Sequence, residues 1–285
     1  MTRAATLLAL FTIFLWSFLA FLASRLSSVP PFLLVGIALC IGGFIGIPKI
    51  KEWRVPWRTL VVGIYGLFGY HFLLFTAFKY APAVEANLIN YLWPLLIVFL
   101  SPVFLSGYRL RPHHLFGAIV GLAGAGLIVT GGKFNLDIAN LKGYLLAGGA
   151  AFIWASYSLL TKRVPPFPTS AVAAFCFYSG LLSLGVYLLS TGSLTGLVRL
   201  PARDWLSLIL LGIGPMGLAF FTWDAALKRG DPRIIGSLTY LTPLLSTLNL
   251  VVWGGRAFTW VSSVAMVLIL SGAVIGSWDL LTKRS

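Results

Sequence analysis

Long apolar runs, divided by short polar connections, decide what this chain can fold into. A helix that crosses the hydrocarbon core of a bilayer needs about 20 mostly apolar residues. Charged residues make up only 10% of the sequence, against about 25% in a soluble domain. Ten apolar runs have the required length: 4–23, 32–48, 59–78, 85–105, 113–131, 143–161, 169–190, 205–227, 234–253 and 258–279. The sequence therefore predicts an all-α integral membrane protein with ten transmembrane helices.

The basic residues lie in short clusters between these runs, which explains the net charge of +14. A nucleic-acid-binding surface would gather them into one patch, so we predict no nucleic-acid partner. With ten spans both termini share one side, and that side carries fourteen Lys and Arg residues against seven on the other. Cytoplasmic loops are the richer in these residues. We therefore predict a multi-pass protein of the bacterial inner membrane with both termini in the cytoplasm.

A short sequence from the first half of the chain recurs in the second half. YLWPLL at 91–96 returns as YLTPLL at 240–245, and three other short stretches recur, so that four matches occur in the same order in both halves. Each half contains five spans, an odd number, so the second half crosses the membrane in the opposite sense. Inverted repeats are typical of secondary transporters. We predict two inverted five-helix repeats, residues 1–135 and 136–285, around a central cavity.

The recurring sequence places a proline inside the fourth and the ninth span, at Pro94 and Pro243. Proline removes one backbone donor and bends a helix. Membrane helices often tolerate a single proline without a functional role, but irregular helices at equivalent positions of two repeats point to a transport site. We therefore predict that spans 4 and 9 bend at these prolines and act as gates.

Polar residues share one face of each of these two spans. Asn87, Asn90 and Tyr91 follow helical spacing in span 4, and Ser237 and Tyr240 do so in span 9. Polar side chains that face lipid are costly, so these faces should line the bundle interior or a cavity. Hydrogen bonds between helices are the alternative explanation. We predict that the five residues bind the polar part of a substrate.

Aromatic residues away from the span ends are the second group of candidates. Trp16 and Trp154 lie at equivalent positions of spans 1 and 6, with Tyr157 one turn further on, and span 3 contributes His71 and Phe75. Tryptophans near span ends usually anchor a helix at the membrane interface. A single buried histidine is more often a packing residue than a proton relay. We predict that these five residues line the cavity and receive an apolar ring.

Taken together, these features resemble those of a known family. Ten spans, two inverted halves of five, and polar residues followed by a proline in spans 4 and 9 resemble the EamA type of the drug/metabolite transporter superfamily. NLINYLWPLL at 87–96 is closest to the exporters of aromatic amino acids within it. The resemblance implies a basket of helices around a central cavity, with cytoplasmic termini and efflux of aromatic and other neutral amino acids.

We therefore predict an exporter that works by alternating access, not an enzyme, and expect no cofactor and no resident metal. An exporter of drugs or other metabolites with the same fold is the nearest alternative; a membrane-embedded enzyme, a channel and a scaffold are more distant ones. The GxxxG motifs at Gly117–Gly121 and Gly272–Gly276 allow close helix packing, inside one chain or between two. We expect a monomer in the bilayer, with a dimer as the alternative.

Overall fold

The computed structural model describes residues 2–133, 136–193, 200–253 and 259–279. Within these ranges the chain is helical throughout and contains no strand. It forms helical segments that we number in chain order. They are α1 (Arg3–Arg25), α2 (Pro31–Phe44), α3 (Trp57–Ala77), α4 (Ala83–Phe104), α5 (Pro112–Thr130), α6 (Ile138–Leu160), α7 (Thr169–Thr191), α8 (Ala202–Arg229), α9 (Pro232–Val252) and α10 (Trp260–Gly276).

Most of these segments are long and apolar enough to cross a membrane. Eight of them qualify among the described residues, and a ninth does so if α2 and the following helix Ile47–Trp53, which meet at 91°, form one broken span. The predicted second span extended to residue 48, but α2 ends at Phe44, shortly before Gly46 and Pro48 interrupt the helix. The last segment, α10, is an apolar helix of 17 residues. The all-helical membrane architecture is confirmed, while the tenth crossing stays a prediction.

Helix irregularities recur at matching positions of the two halves. A π-helical turn interrupts α3 at Tyr65–Gly69, and another interrupts α8 at Gly214–Leu218, 149 residues later. The segment α4 is broken between Asn90 and Trp93, and α9 is broken between Leu238 and Leu241. Pro94 and Pro243 lie in the first turn of the second half of α4 and α9, where the backbone N–H groups have no partner inside the helix and a missing one costs little. Irregular backbone at membrane depth is tolerated where protein or a cavity surrounds it.

Segments from the two halves pack against each other in pairs. The most extensive contacts join α2 to α7 and α5 to α10, and further contacts join α1 to α8 and α3 to α6. A Cβ atom added at Gly117 would lie 2.3 Å from the backbone nitrogen of Gly276, and one added at Gly272 would lie 2.5 Å from that of Gly121. The GxxxG motifs of α5 and α10 therefore bring two helices of one chain into backbone contact.

Candidate functional site

A cavity of about 220 Å³ lies between α1, α2, α3, α4, α6, α8 and α9. Its lining begins with Ala23, Leu34 and Phe75, which lie close to the connections that join α1 to α2 and α3 to α4. It ends near the middle of the bundle at Trp154 and Phe220. The cavity therefore extends inward from the face of these two connections, which we call the α1–α2 face. Segment α2 had not been expected to contribute.

Four tryptophans form the inner end of the cavity. The ring centroids of Trp16, Trp93, Trp154 and Trp223 lie 5.2–6.4 Å apart in all six pairs, at distances typical of favourable aromatic contacts. We call this group the tryptophan cluster. Trp16 Nε1 donates a hydrogen bond to the carbonyl of Pro215 (3.2 Å), in the π-helical turn of α8. The first three rings line the cavity, and Trp223 closes it from behind with 1% of its surface exposed.

Segment α3 provides an aromatic wall beside the tryptophan cluster. Tyr70, His71 and Phe75 line the cavity, and the His71 ring stacks on Phe75 at 6.3 Å. His71 Nδ1 lies 2.6 Å from the carbonyl oxygen of Leu67. A carbonyl can only accept, so Nδ1 carries the proton. In the neutral ring, Nε2 is then left as an acceptor for a ligand.

The polar part of the lining is uncharged. It consists of His71 from α3, Asn87 and Asn90 from α4, Thr242 and Ser246 from α9, and the tyrosine residues. Asn90 Nδ2 donates to the hydroxyl of Tyr70 (3.1 Å), whereas Asn90 Oδ1 and Thr242 Oγ1 are buried without a hydrogen-bond partner in the described structure. Buried polar atoms normally have a partner. These two oxygens are therefore candidates to bind a polar ligand group. Among the described lining residues there is no Lys, Arg, Asp or Glu.

A tyrosine from α9 connects the helix breaks of the two halves. The backbone N–H of Leu95 donates to the Tyr240 hydroxyl (3.2 Å), which in turn donates to the carbonyl of Tyr91 (3.3 Å). In an uninterrupted helix the Leu95 N–H would bond that carbonyl directly. The hydroxyl is therefore inserted into the hydrogen-bond ladder of α4, next to Pro94, and side-chain insertion of this kind bends helices.

Beyond the tryptophan cluster the bundle is closed. The Asp224 carboxylate is 1% exposed and accepts from Lys228 Nζ at 2.6 Å, near the end of α8. Lys162, just after α6, donates to the carbonyls of Leu227 (2.5 Å) and Gly230 (3.2 Å). The Lys162 hydrogen bonds join the end of α6 to the end of α8 and close what we call the α6–α7 face.

The structure brings most of the predicted site residues together. Seven of the ten predicted substrate-binding residues lie on the cavity wall: Trp16, His71, Phe75, Asn87, Asn90, Tyr91 and Trp154. The other three lie elsewhere in this structure. Tyr157 packs behind Trp154 at 5.4 Å, Ser237 donates to the Arg233 carbonyl (3.0 Å), and Tyr240 occupies the helix break.

Among the polar and aromatic residues of the wall, the predicted site left out Tyr70, Trp93, Phe220, Thr242 and Ser246, and it named none of the other apolar lining residues. Trp93 lies two residues after Tyr91, inside the stretch NLINYLWPLL of span 4, but was not among the predicted site residues. It follows the helix break at Tyr91–Leu92 and lines the cavity. Thr242 carried a usable signal, since it stands one residue before the proline of α9 just as Trp93 does in α4.

The site is a ligand cavity inside a helical membrane bundle, and the chain belongs to the EamA-like transporter family, which matches residues 3–130 and 141–278. The expected resemblance is thereby confirmed, and the chain is a multi-pass inner-membrane transporter rather than an enzyme. It is 43% identical, over 99% of both chains, to the aromatic amino acid exporter YddG of Ancylobacter novellus.

Two further relatives and one solved structure extend the comparison. The chain is 28% identical to the probable amino-acid metabolite efflux pump of Salmonella typhimurium, over 100% of this chain and 98% of the relative. It is 27% identical to the YddG of Escherichia coli, over 87% of this chain and 88% of the relative. A crystal structure of a protein 42% identical in sequence superposes with a TM-score of 0.89 and covers 100% of both chains.

Proposed function

We propose that this transporter exports aromatic and other neutral amino acids through the central cavity by alternating access. The observation that carries the proposal is a wall of tryptophan, tyrosine and phenylalanine rings with uncharged polar groups beside it. A zwitterionic amino acid has no net charge, so neutral hydrogen-bonding groups suffice to bind its head. The volume of about 220 Å³ is below the range of roughly 300–1,000 Å³ typical for drug-sized ligands. The name of the Ancylobacter relative points to the same substrate class.

The lining suggests how the two ends of the substrate are held. The side-chain ring enters between Trp16, Trp154 and Phe75. The unpartnered Asn90 Oδ1 accepts from the substrate ammonium group, since an amide oxygen is an acceptor only. The Thr242 hydroxyl donates to the carboxylate. This arrangement gives both buried oxygens the partner that they lack in the unliganded site.

The transport cycle follows from an inverted repeat of residues 1–135 and 136–285, with ten crossings and both termini in the cytoplasm. The matched π-helical turns, the matched breaks in α4 and α9, and the pairwise packing of equivalent segments all support this repeat. With the termini in the cytoplasm, the α1–α2 face lies outside. The structure then corresponds to the outward-open state, and the tryptophan cluster to the closed inner gate.

In that cycle, Pro94 and Pro243 allow α4 and α9 to bend as gates. When α4 bends, the Leu95 N–H and the Tyr91 carbonyl need a hydrogen-bond partner, and the Tyr240 hydroxyl is that partner in the outward-open state. Tyr157 and Ser237 lie beyond the cavity on the side of the α6–α7 face. We propose that they meet the substrate when that face opens. The internal use of both GxxxG motifs favours a monomer.

Exchange in proteoliposomes tests the substrate. Vesicles loaded with unlabelled L-phenylalanine should take up external labelled L-phenylalanine, L-tryptophan and L-tyrosine faster than protein-free vesicles. Leucine and threonine should exchange more slowly, and lysine and glutamate not at all, because the cavity has no group to balance a net charge. Asn90→Ala should lower aromatic exchange, with Asn140→Ala, at the start of α6 outside the cavity, as the matched control.

Protein-dependent exchange restricted to charged solutes or to drug-like cations would refute the proposal and favour the alternative exporter. The same assay with and without a pH gradient decides whether protons are coupled to export. Gradient-independent exchange with accumulation only along the amino acid gradient indicates facilitated export.

A further inference from the structure

A cluster of two histidines and one aspartate lies far from the cavity. His113 and His114 are in the first turn of α5, and Asp279 follows α10. Although 165 residues separate His114 from Asp279, the packing of α5 on α10 brings their side chains together. His113 Nε2 lies 3.4 Å from Asp279 Oδ1, and His114 Nε2 lies 3.3 Å from Asp279 Oδ2.

These separations match the coordination shell of a small metal ion. Nitrogen and carboxylate ligands bind Zn²⁺ at about 2.0–2.2 Å in tetrahedral geometry, which places two ligand atoms about 3.4 Å apart. Both measured nitrogen–oxygen distances agree with that spacing. The ligand atoms of all three side chains lie within 4.8 Å of one another. The His113 side chain is 23% exposed, so it has room to adjust when a metal ion binds.

The hydrogen bonding of the histidines gives an independent reason to expect a ligand. The His114 side chain is 0% exposed, and neither of its ring nitrogens has a hydrogen-bond partner in the described structure. His113 Nε2 is buried without one as well. Leaving a buried polar atom unpaired is costly, and a bound metal ion would give the Nε2 atom of each ring a partner.

We propose that His113, His114 and Asp279 bind one transition-metal ion of the Zn²⁺ class, with water completing the shell. Two imidazoles and one carboxylate suit Zn²⁺, Ni²⁺, Co²⁺ or Cu²⁺ rather than Mg²⁺ or Ca²⁺, which take oxygen ligands. The site revises the sequence expectation of no metal. It is independent of the proposed transport function.

One basic side chain competes with the ion for the carboxylate. Arg111 Nη1 donates to Asp279 Oδ1 at 2.9 Å, and the Arg111 side chain is 61% exposed. It can therefore move into solvent when the metal binds. The adjacent N-terminus of α5 also carries positive partial charge. These two features weaken binding, so removal of Arg111 should tighten it.

Metal at this position would connect the two halves of the chain. The ligands belong to α5 and α10, the last segments of the two repeats, and both lie at the α6–α7 face. A ligand that binds only the folded chain stabilises it by mass action. Bound metal should therefore raise the melting temperature and leave the cavity unchanged.

Cobalt binding to the full-length chain tests the site. The protein is purified in detergent without a polyhistidine tag and treated with EDTA, which is then removed. Titration with Co²⁺ should give the intense visible absorption of a tetrahedral nitrogen–oxygen site, saturating at one ion per chain. One equivalent of Zn²⁺ should abolish this absorption and raise the melting temperature. Arg111→Gln should lower the Co²⁺ concentration needed for half-saturation.

His113→Ala and Asp279→Asn should each lose the cobalt absorption, and both change side chains with some solvent exposure, so the fold is retained. His71→Gln is the matched control, since it removes the other histidine and should bind Co²⁺ like the unchanged chain. Absorption of the hydrated ion alone with the unchanged protein would overturn the proposal. Undiminished binding by His113→Ala or Asp279→Asn would do so too.

Discussion

The helix break in α4 leads to a quantitative prediction for Tyr240→Phe. The substitution removes one oxygen that accepts from the Leu95 N–H and donates to the Tyr91 carbonyl. Tyr240 is 0% exposed, so water does not replace the hydroxyl. The ring remains and continues to pack against Gly121 of α5. The expected effect therefore comes from the two hydrogen bonds.

Two limits bound the free-energy cost. Hydrogen bonds between membrane helices contribute about 0.6 kcal/mol each on average, so two bonds give about 1 kcal/mol. If both backbone groups stay buried and unpaired, each costs about 1–3 kcal/mol. Direct closure of the ladder between Leu95 and Tyr91 is opposed by Pro94, whose carbonyl packs closely on Gly236. We therefore expect a loss of about 1–6 kcal/mol, or roughly 2–12 °C in melting temperature.

The assay is thermal unfolding of the purified protein, with Tyr178→Phe as the matched control. Tyr178 is 42% exposed, so loss of its hydroxyl should leave the melting temperature unchanged. Hydrogen exchange of the 91–97 region should become faster in Tyr240→Phe alone. If Tyr240→Phe melts together with Tyr178→Phe and its α4 amides exchange as before, the inserted hydroxyl does not hold the break, and the reasoning fails.

Three further substitutions test the cavity, the gate and the helix packing. Trp16→Ala should weaken phenylalanine binding about tenfold or more, which corresponds to about 1.4 kcal/mol. Trp260 is 76% exposed, so Trp260→Ala should leave the affinity unchanged. Equal affinities of the two variants would contradict the proposed binding site for the ring. Pro94→Ala restores a backbone donor and should slow exchange while the protein stays folded, so an unchanged rate would exclude the gate. Gly117→Ala should lower the stability of the fold by about 1–3 kcal/mol through overpacking. A Cβ atom added at Gly185 has nothing within 4 Å, so Gly185→Ala should leave the stability unchanged. Thermal unfolding of the two variants measures the difference.

The sequence predicted the helical membrane fold correctly because the bilayer imposes a simple length requirement on each span. Apolar runs such as 59–78 and 113–131 correspond closely to Trp57–Ala77 and Pro112–Thr130. The end of α2 was less accurate, since the sequence remains apolar through residues 45–48 while the backbone turns by 91°. Hydropathy measures burial in lipid and not the direction of the chain.

Periodicity also identified seven residues of the cavity wall, because polar residues at membrane depth are costly unless they face the bundle interior. It failed where the helix itself is irregular. Trp93 was not part of the predicted site, yet it lines the cavity just after the break between Asn90 and Trp93 in α4. Tyr240 was expected to face the substrate, and the structure shows that its hydroxyl completes that broken backbone instead.

The sequence by itself determined what each segment is: an apolar helix of a given length, with its prolines, polar residues and aromatic rings at fixed depths. Those properties are local, and the bilayer selects for them directly. Only the tertiary structure decided which residues meet. The tryptophan cluster joins Trp16, Trp93, Trp154 and Trp223 from four segments, and Asp279 lies beside two histidines that precede it by 165 and 166 residues. Such contacts depend on how closely two helix backbones approach each other at glycines and on how far a helix bends at a break. Hydropathy determines neither the distance nor the bend.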